Sequence, residues 1–452
     1  MLLLKHRLAT RWHHWINFPV LSLMILSGLF IYWAWDPYRI GFGETTLLHM
    51  FPDWFYKFSG IGKKLSLGMA MHFVFGWVFA LNGIAYVAYM WLSGEWRELL
   101  PDAKCFRQAI AVVKHDLGLG PLPPQGRYNA AQRITYSAVI AMGGLSLLTG
   151  LAIYKPVQLA WLTSLLGGYQ WARWEHFWLT MGFIGFFGIH VAQVIRAGWV
   201  NFRSMVAGYD DVAPSRSRRA FLALGGGAVA AFAGAGWLFS GKPEEGDIPP
   251  NLRNVLKFNE RVVRSALYDN ANLAPTFPAS AIGKLKANGV EGLEEELVPA
   301  AWRLEVRPYQ ASEFTRKLTL DEIKALPRYE ETIEFKCVEG WSTVTQFAGA
   351  RLSDFTARFA PGSERAACIG MNTPDEVYYV GIDMPSALHP QTLLAWEMNG
   401  QPLTDEHGAP LRLVIPVKYG IKNIKRIGRI WYTDARPADY WAEYGYDWYA
   451  GL

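Results

Sequence analysis

Residues 174–200 read WEHFWLTMGFIGFFGIHVAQVIRAGWV, an apolar stretch with one histidine near its start and another near its middle. It exceeds the roughly 20 residues that a helix needs to cross a hydrocarbon core of about 30 Å. His176 and His190 are 14 residues apart. That spacing is close to four helical turns, so both side chains project from nearly one face, about 21 Å apart along the axis. One helix can therefore serve two sites at different membrane depths.

Four further apolar stretches precede residue 241, and none follows it. The remainder alternates short β-rich runs, such as 332–338 and 411–417, with Gly, Pro, Asn and Asp turns. Hydrophobic residues make up 51% and charged residues 18% of the chain, at a mean hydropathy of +0.07. This balance excludes disorder, collagen and coiled coil, and it indicates a membrane part joined to a soluble part. The four stretches are 16–35, 65–92, 134–154 and 220–239.

Basic residues concentrate before the first stretch and in the second and fourth loops, which the positive-inside rule places in the cytoplasm. Their separation by apolar segments argues against a nucleic-acid partner. With an odd number of spans, the part from residue 241 onward lies outside the cytoplasm, in the periplasm of a Gram-negative bacterium. The basic residues Arg39, Lys57, Lys63 and Lys64 in the first loop weaken this asymmetry.

A candidate export signal precedes the fifth stretch. The run Ser217-Arg218-Arg219-Ala220-Phe221-Leu222 resembles a twin-arginine signal placed internally. The alternative is a pair of ordinary positive-inside arginines before a span. The Gly/Ala-rich, moderately hydrophobic stretch favours the signal. We expect no cleavage at Ala233-Gly234-Ala235, because an attached domain would couple to the membrane half.

Histidines inside spans are costly to desolvate and suggest function. Alternating span directions place His14 and His190 near the cytoplasmic face, and His72 and His176 near the outer face. Pairs at matched depth are what bis-imidazole ligation of two b haems requires. The alternative for each is a hydrogen-bonded core imidazole. His13 lies about 100° around the helix from His14, and spacing does not choose between them. Small residues that would let a porphyrin approach the backbone are Gly28, Gly76, Gly150 and Gly182.

Residues 11–17, RWHHWIN, together with those later histidines, resemble the di-haem b-type cytochrome subunits of nickel-iron hydrogenases and formate dehydrogenases. The resemblance covers about residues 1–205. It implies a four-helix bundle with two haems b that exchanges electrons between quinone or quinol and a partner enzyme. In that family the ligand of the first span is followed by Trp, which selects His14 and pairs it with His190.

Cys337 follows a short predicted strand in the run EFKCVEGWS, residues 334–342. An inert buried thiol is the commonest interpretation of one cysteine, but a thiolate can also bind a metal. Four downstream cations lie near a glycine-containing turn and could cradle a phosphate, although a solvated basic loop would look similar. These cations are Arg412, Lys418, Lys422 and Lys425.

Together these segments resemble the sulfite oxidase superfamily of molybdenum enzymes over about residues 250–440. The run around Cys337 looks closest to the catalytic subunits of bacterial periplasmic methionine sulfoxide reductases. The resemblance implies that Cys337 ligates molybdenum held by molybdopterin. It further implies pterin or phosphate contacts from Asn272, His407, Arg412, Asn423, Ile424 and Lys425.

We therefore expect a membrane all-α four-helix cytochrome bundle with a fifth transmembrane helix, followed by an α+β sulfite-oxidase-type molybdopterin domain. The expected parts are the cytochrome at 1–205, the twin-arginine-like segment and fifth helix at 206–245, and the exported domain at 246–452. Such a chain belongs in the bacterial inner membrane, with its N-terminus in the cytoplasm.

The residues after Cys337 bear on the substrate. Sulfite oxidases follow their ligand with a Gly-Asn-Arg-Arg type run, whereas this chain has Val338-Glu339-Gly340-Trp341. A carboxylate and an indole suit a neutral substrate, which favours a quinol-dependent S-oxide or N-oxide reductase. The methionine sulfoxide reductases are soluble with a separate cytochrome, so their substrate does not transfer automatically. The rivals are a sulfite-type dehydrogenase feeding quinone and a cytochrome with a non-catalytic docking domain.

Overall fold

The computed structural model describes residues 6–42, 45–121, 128–208, 230, 233–243, 245–294, 297–298 and 300–452. The chain divides into two compact units. The first unit contains most of the apolar helices, and the second contains both large sheets. The first consists of Met1–Gly28, Met71–Ile153 and Leu166–Ser240; the second consists of Leu29–Ala70, Tyr154–Leu165 and Gly241–Leu452.

Among the described residues, four helices are long and apolar enough to cross a membrane: Leu8–Tyr32, Leu65–Ser93, Ala130–Tyr154 and the Tyr169–Trp199 part of α8 (Tyr169–Ala207). Helix α8 leaves helical geometry at Gly198, where φ is 80° and ψ is 176°. In chain order the elements up to residue 208 are α1 (Leu8–Tyr32), β1 (Arg39–Phe42), β2 (Thr45–His49), α2 (Asp53–Ser59), α3 (Leu65–Ser93), α4 (Trp96–Leu99), α5 (Ala103–Asp116), α6 (Ala130–Tyr154), α7 (Ala160–Leu165) and α8 (Tyr169–Ala207).

These four helices correspond to the first four predicted stretches. Helices α1, α6 and α8 begin several residues earlier than the apolar runs, because polar residues such as Arg11 and Arg133 occupy their first turns. The twin-arginine-like run lies outside the described residues. So does most of the fifth stretch, of which residues 233–238 are helical.

The second unit is rich in β-structure, as predicted. Short 3₁₀ helices occur at Ala279–Ala281, Ser363–Arg365, Asp405–His407 and Gly420–Lys422. Its other elements after residue 241 are α9 (Pro250–Ala266), β3 (Leu304–Arg307), β4 (Arg316–Leu318), α10 (Leu320–Lys324), β5 (Arg328–Lys336), β6 (Ser342–Arg351), α11 (Leu352–Phe359), β7 (Cys368–Asn372), β8 (Tyr379–Asp383), α12 (Met384–Ala387), β9 (Leu393–Met398), β10 (Gln401–Pro402), β11 (Arg412–Val414), β12 (Arg429–Thr433) and α13 (Tyr440–Glu443).

Two five-stranded sheets form the core of this unit. One has the strand order β10-β9-β6-β5, with β11 paired to β9, and the other has the order β4-β3-β12-β7-β8. The pair β12–β3 is parallel, whereas β5 and β6 form a long antiparallel hairpin. The predicted runs 332–338 and 411–417 fall on β5 and β11. Strand β11 ends two residues before Pro416, which has no amide hydrogen for a ladder.

Two segments that connect membrane helices belong to this second unit. Val157, between α6 and α7, is 2% exposed and forms part of the main hydrophobic core. Trp35, just after α1, packs against a second cluster that contains Cys337. The sheet unit is therefore built partly from the first and third interhelical segments.

Candidate functional site

Two histidine rings meet between α3 and α8. The ring centres of His72 and His176 lie 6.1 Å apart, with the ring planes inclined at 68°. Two metal–imidazole bonds of about 2 Å, plus about 1 Å from each ligating nitrogen to its ring centre, add to about 6 Å. The two rings are therefore spaced to share one metal ion.

Hydroxyl groups determine which nitrogen of each ring can bind a metal. Ser27 Oγ donates its hydrogen to a carbonyl of the preceding turn and lies 3.0 Å from His72 Nδ1. Thr149 Oγ1 likewise donates within its own helix and lies 2.9 Å from His176 Nδ1. Each hydroxyl must therefore accept a hydrogen from Nδ1. The Nε2 lone pair of each ring remains for a metal.

The space beside this pair is apolar. Both imidazoles border a partly open cavity with mainly apolar walls. A Cβ atom at Gly28 would lie 3.8 Å from His72 Cε1, and one at Gly150 would lie 3.4 Å from His176 Cε1. These glycines thus give the imidazoles room, and the cavity suits part of a flat apolar macrocycle. Its apolar walls include Leu21, Met24, Ile25, Phe79 and Phe183.

A second pair joins α1 to α8. The ring centres of His14 and His190 are 6.0 Å apart at an interplanar angle of 58°. His190 also stacks on Phe186, with 5.4 Å between ring centres. His14 Nδ1 is buried without a hydrogen-bond partner among the described residues, a costly state that a bound group would relieve. The spacing fits the same kind of metal group as the first pair.

His13 has a different environment from His14. Its Nδ1 lies 2.7 Å from Asn82 Oδ1, and its ring centre lies 5.4 Å from that of Tyr86. Asn82 in turn donates to Asn17 Oδ1 at 2.7 Å. Spacing alone left the two histidines equivalent, but the structure places His14 beside His190.

The turn between β5 and β6 carries Cys337. The Cys337 amide donates to the Trp341 carbonyl at 3.0 Å, and the Gly340 amide donates to the Cys337 carbonyl at 2.9 Å. Gly340 has a φ of 107°, which side chains oppose. The turn places Cys337 on the wall of an open cleft of about 850 Å³.

The Cys337 thiol is buried, and its surroundings favour the protonated form. Burial raises its pKa to about 12, and the Glu339 carboxylate acts in the same direction, while the backbone amides of Val338 and Glu339 oppose the shift. Such a thiol stays protonated at neutral pH until a metal cation displaces the proton. It is therefore a poor free nucleophile.

Arg412 is a buried cation that lines the same cleft as this thiol. It is 3% exposed, and its guanidinium donates to the carbonyls of His407 at 3.1 Å and Asn423 at 3.4 Å. Burial lowers its pKa to about 10, so it stays charged at neutral pH. It forms no ion pair within the part of the chain that the structure describes. A buried charge costs several kcal/mol unless it is paired. A cofactor phosphate would supply the missing anion.

Two other predicted contacts, His407 and Lys425, also line the cleft. Lys425 Nζ donates to the carbonyls of Asn288 at 3.0 Å and Gly289 at 2.7 Å, which fixes the segment that borders Cys337. Burial and neighbouring cations lower the pKa of His407, which keeps its imidazole neutral. A neutral imidazole can both donate and accept hydrogen bonds to a pterin.

The other three predicted pterin contacts, Asn423, Ile424 and Asn272, do not all lie at the cleft. Asn423 lines the cleft, and its amide accepts from the Ile415 amide at 2.8 Å and donates to the Tyr419 carbonyl at 3.1 Å. Ile424 is fully buried in the core, and Asn272 is exposed. Neither of these two lines the cleft. The structure thus brings together Cys337, His407, Arg412, Asn423 and Lys425.

Two of the four cations predicted to cradle a phosphate are paired inside the protein. Lys418 Nζ lies 2.7 Å from Asp383 Oδ1, and Lys422 Nζ pairs with Asp439 Oδ2. Both lysines are at most 3% exposed. Their charges are neutralised by these carboxylates, so the prediction was wrong for this pair. Of the four cations, Arg412 and Lys425 line the cleft and remain predicted phosphate contacts.

Sequence reasoning missed the aromatic wall of the cleft. Tyr378, Trp441 and Tyr446 line it. Asn288 was also missed, and its Nδ2 lies 3.8 Å from Cys337 Sγ. The one available signal was the aromatic-rich run 440–449, YWAEYGYDWY, whose distance from Cys337 in sequence conceals their proximity.

Helices with two imidazole pairs and a cleft lined by a buried thiol and a buried cation define a class: a b-type cytochrome joined to a molybdopterin oxidoreductase. Family comparisons confirm both resemblances. Residues 5–208 match the model for prokaryotic cytochrome b561. Residues 291–441 match the oxidoreductase molybdopterin binding domain.

Individual relatives match each half. YedZ1 of Azospira oryzae, a candidate subunit of protein-methionine-sulfoxide reductase, is 36% identical over 203 residues, which are 44% of this chain and 76% of that protein. The chain therefore belongs to the prokaryotic cytochrome b561 family and adds a molybdopterin-binding domain, as an oxidoreductase with an integral cytochrome b.

The soluble half has its own relatives. The protein-methionine-sulfoxide reductase catalytic subunit MsrP of Xanthomonas campestris pv. campestris is 38% identical over 149 residues, covering 28% of this chain and 46% of MsrP. The chain thus spans about half the length of that relative. The sulfane dehydrogenase SoxCD from Paracoccus pantotrophus gives a TM-score of 0.28 at 20% identity, covering 31% of this chain and 40% of that one.

Proposed function

We propose that this protein is a quinol-dependent reductase of S-oxides, with N-oxides as a related substrate class. The observation that carries the proposal is the surroundings of Cys337. Glu339 Oε2 accepts a hydrogen bond from Trp341 Nε1 at 2.8 Å and from Asn288 Nδ2 at 3.3 Å. A carboxylate held there repels an anionic oxyanion such as sulfite. It tolerates a neutral sulfoxide.

The aromatic wall supports the same substrate class. Sulfur makes favourable contacts with aromatic rings, and Tyr378, Trp441 and Tyr446 line the cleft. The cleft also contains Lys286, whose Nζ lies 5.9 Å from the centre of the Trp341 ring, where it faces an aromatic surface. The names of the MsrP relatives point to a sulfoxide as well.

The proposed reaction balances in electrons and protons. A quinol gives two electrons and two protons, and an S-oxide takes up two electrons and two protons to become a sulfide and water. A molybdopterin cofactor supplies oxygen-atom exchange, and haems pass single electrons. Cys337 would ligate the metal, and Arg412 would bind the cofactor phosphate. Asn288 and Glu339 would orient substrate beside it.

Two haems follow from two imidazole pairs. Each pair has a ring-centre spacing of 6.0 or 6.1 Å, which suits one iron. The pairs use two histidines of α8 that are about 21 Å apart along the helix. The bundle would thus carry electrons from one side of the membrane to the other.

The segments that make up the second unit support an extracytoplasmic position for the sheet domain. The segments Leu29–Ala70 and Tyr154–Leu165 share a compact unit with Gly241–Leu452. The first and third connections lie on one side of the membrane, and α8 runs to the opposite side. The proposal requires one further crossing, which the fifth predicted stretch at 220–239 would supply. The distribution of basic residues in the sequence supports a periplasmic position for the sheet domain.

Turnover of the purified protein tests this function and its direction. Detergent-solubilised enzyme should oxidise a quinol analogue when methionine sulfoxide, free or within a peptide, is added. Methionine sulfone is a matched control, because its oxygens are not removed by such reductases. Reduction of a quinone analogue by sulfite, without sulfoxide reduction, would establish the dehydrogenase instead.

A further inference from the structure

Helix α5 carries a row of exposed apolar side chains in the segment between α3 and α6. Phe106, Ile110 and Val113 belong to the helix, and Leu117 is the residue that follows it. Each of the four side chains is more than half exposed. Their spacing of four, three and four residues places them within an arc of about 60° around the helix axis. They therefore form one continuous surface, which we call the α5 apolar face.

A different side of α5 packs against the protein. Cys105 and Val112 are buried, and both lie more than about 100° around the helix from the centre of the α5 apolar face. These residues attach the helix to its neighbours without using the α5 apolar face. An exposed apolar row of this kind marks a surface for another apolar partner.

Both ends of α5 are fixed by polar contacts within the first compact unit. At the start of the helix, Asp102 Oδ2 accepts a hydrogen bond at 3.2 Å from Arg133, which lies in the first turn of α6. At the end of the helix, Asp116 Oδ2 accepts from Gln193 Nε2 at 3.2 Å. Arg196 donates to the Asp116 carbonyl as well. Helix α5 is therefore held between α6 and α8.

These contacts fix the orientation of α5 relative to the membrane. Gln193 and Arg196 lie in the last two turns of the membrane-crossing part of α8, which ends at Trp199. Since α6 and α8 are consecutive spans, the start of α6 and the end of this part of α8 lie at the same membrane surface. Helix α5 is bound at both points, so it lies along that surface, within reach of lipid headgroups.

Two basic residues border the α5 apolar face. Arg107 and Lys114 are exposed, and they are seven residues apart, which is about two helical turns. Both therefore lie along the same edge of the α5 apolar face. An apolar face flanked by Lys or Arg is typical of helices that lie in a membrane interface, where the cations meet anionic headgroups.

We propose that α5 is an interfacial helix that binds anionic lipid. Its apolar face contacts acyl chains, and Arg107 and Lys114 bind the phosphates of the headgroups. The distribution of basic residues in the sequence supports the cytoplasmic leaflet as the location of this contact. The inference goes beyond the proposed function, since it depends neither on the substrate nor on the direction of electron flow.

Fluorescence quenching in nanodiscs tests the α5 apolar face. The native cysteines are buried, so a cysteine introduced at an exposed position can be labelled selectively with a bimane fluorophore. In nanodiscs of phosphatidylglycerol with brominated acyl chains, a label at Ile110→Cys should be quenched at least about threefold more strongly than one at Gln108→Cys. Gln108 is the matched control, because it is exposed on the same helix about 160° away. Aqueous iodide should quench the two labels in the reverse order.

Lipid titration tests the basic edge of the helix. The labelled Ile110→Cys protein is held in neutral detergent and titrated with phosphatidylglycerol, and the label emission reports binding. Adding Arg107→Gln and Lys114→Gln together should weaken the apparent affinity by about tenfold or more. Lys104→Gln is the control, because Lys104 is exposed on the polar side of α5, and it should change the affinity by less than about threefold. Phosphatidylcholine, which has no net charge, should bind the wild-type sequence and the double variant equally weakly.

Three results would overturn the inference. Equal quenching of both labels by brominated lipid would show that the α5 apolar face does not enter the bilayer. A label at Ile110→Cys that neither brominated lipid nor iodide reaches would show that a protein segment covers this face. An unchanged affinity for phosphatidylglycerol in the double variant would show that these cations do not bind the headgroup. None of these measurements requires turnover, so a failure of the proposed function would leave them unaffected.

Discussion

Lys155 Nζ donates a hydrogen bond to the backbone carbonyl of Gly451, which ties the segment after α6 to the end of the sheet unit. The side chain is 1% exposed, and its Nζ lies 3.8 Å from the centre of the Tyr154 ring. Burial lowers the pKa of Lys155 to about 7, against the opposing attraction of Asp447. Burial of Lys155 thus carries a desolvation penalty when the lysine is charged.

Stability should depend on pH through this lysine. Its folded pKa is about 7, below the value of about 10.4 in an unfolded chain. Between these values the unfolded state binds more protons, so the free energy of unfolding rises with pH. As the pH increases from about 7 to about 10, the thermal midpoint of the wild type should therefore rise relative to that of Lys155→Met. Lys317→Met, at an exposed lysine, is the control. Parallel curves for the wild type and Lys155→Met would contradict the assignment.

Haem content should follow the imidazole pairs. His190→Ala removes one ligand of the His14 pair, and haem per chain should fall from about two to about one by pyridine haemochrome analysis. His13→Ala should keep both haems, because the His13 ring contacts Asn82 and Tyr86. Loss of a haem in His13→Ala with retention in a His14→Ala variant would reverse the choice between these neighbours.

The Ser27 hydroxyl should affect the reduction potential of one haem and not that of the other. Ser27→Ala removes the acceptor for His72 Nδ1–H, and such supporting partners contribute about 10–100-fold to metal-site affinity or activity. Redox titration should shift one of two haem transitions, and that haem should dissociate faster. Ser22→Ala is a fitting control, because Ser22 Oγ is exposed and bonds within its own helix. Shifts of both transitions, or of neither, would argue against the pairing.

The parts of the fold predictable from sequence are those fixed by local periodicity. The four described spans follow from apolar length, and the imidazole pairs follow from the spacing of His176 and His190 on one helical face. Cys337 could be identified because its chemistry resides in a short run of neighbours. His14 could be chosen over His13 by the resemblance alone, since both precede the first span together.

Long-range pairings could not be predicted in this way. Lys418 and Lys422 resemble phosphate ligands until the fold brings Asp383 and Asp439 to them. Trp35 belongs to a membrane connection in sequence but packs on the Cys337 cluster. Each of these contacts joins segments distant in the chain, and no local pattern encodes their partners.

Removal of the Cys337 thiol should abolish the molybdenum chemistry without affecting the haems. Cys337→Ala should eliminate protein-bound molybdenum and sulfoxide turnover, while the haem spectrum stays unchanged. Cys368→Ala is the control, because Cys368 packs with Ala442 and Trp448 away from the cleft. Measuring the molybdenum and haem content of each variant checks both expectations. Full molybdenum-dependent turnover in Cys337→Ala would favour a docking domain or another ligand.

The buried cations should divide into two classes on substitution. Arg412→Met removes an unpaired buried charge, so the cofactor-free protein should melt at a higher temperature while molybdopterin content falls. Asp383→Asn instead leaves Lys418 without its carboxylate, and the free energy of unfolding should fall by about 3–5 kcal/mol. Molybdopterin per folded molecule should then stay near normal, because neither Lys418 nor Asp383 lines the cleft. Thermal melting with pterin analysis distinguishes the two. An Arg412→Met protein that melts lower yet keeps its cofactor would show that Arg412 stabilises the fold and does not bind phosphate.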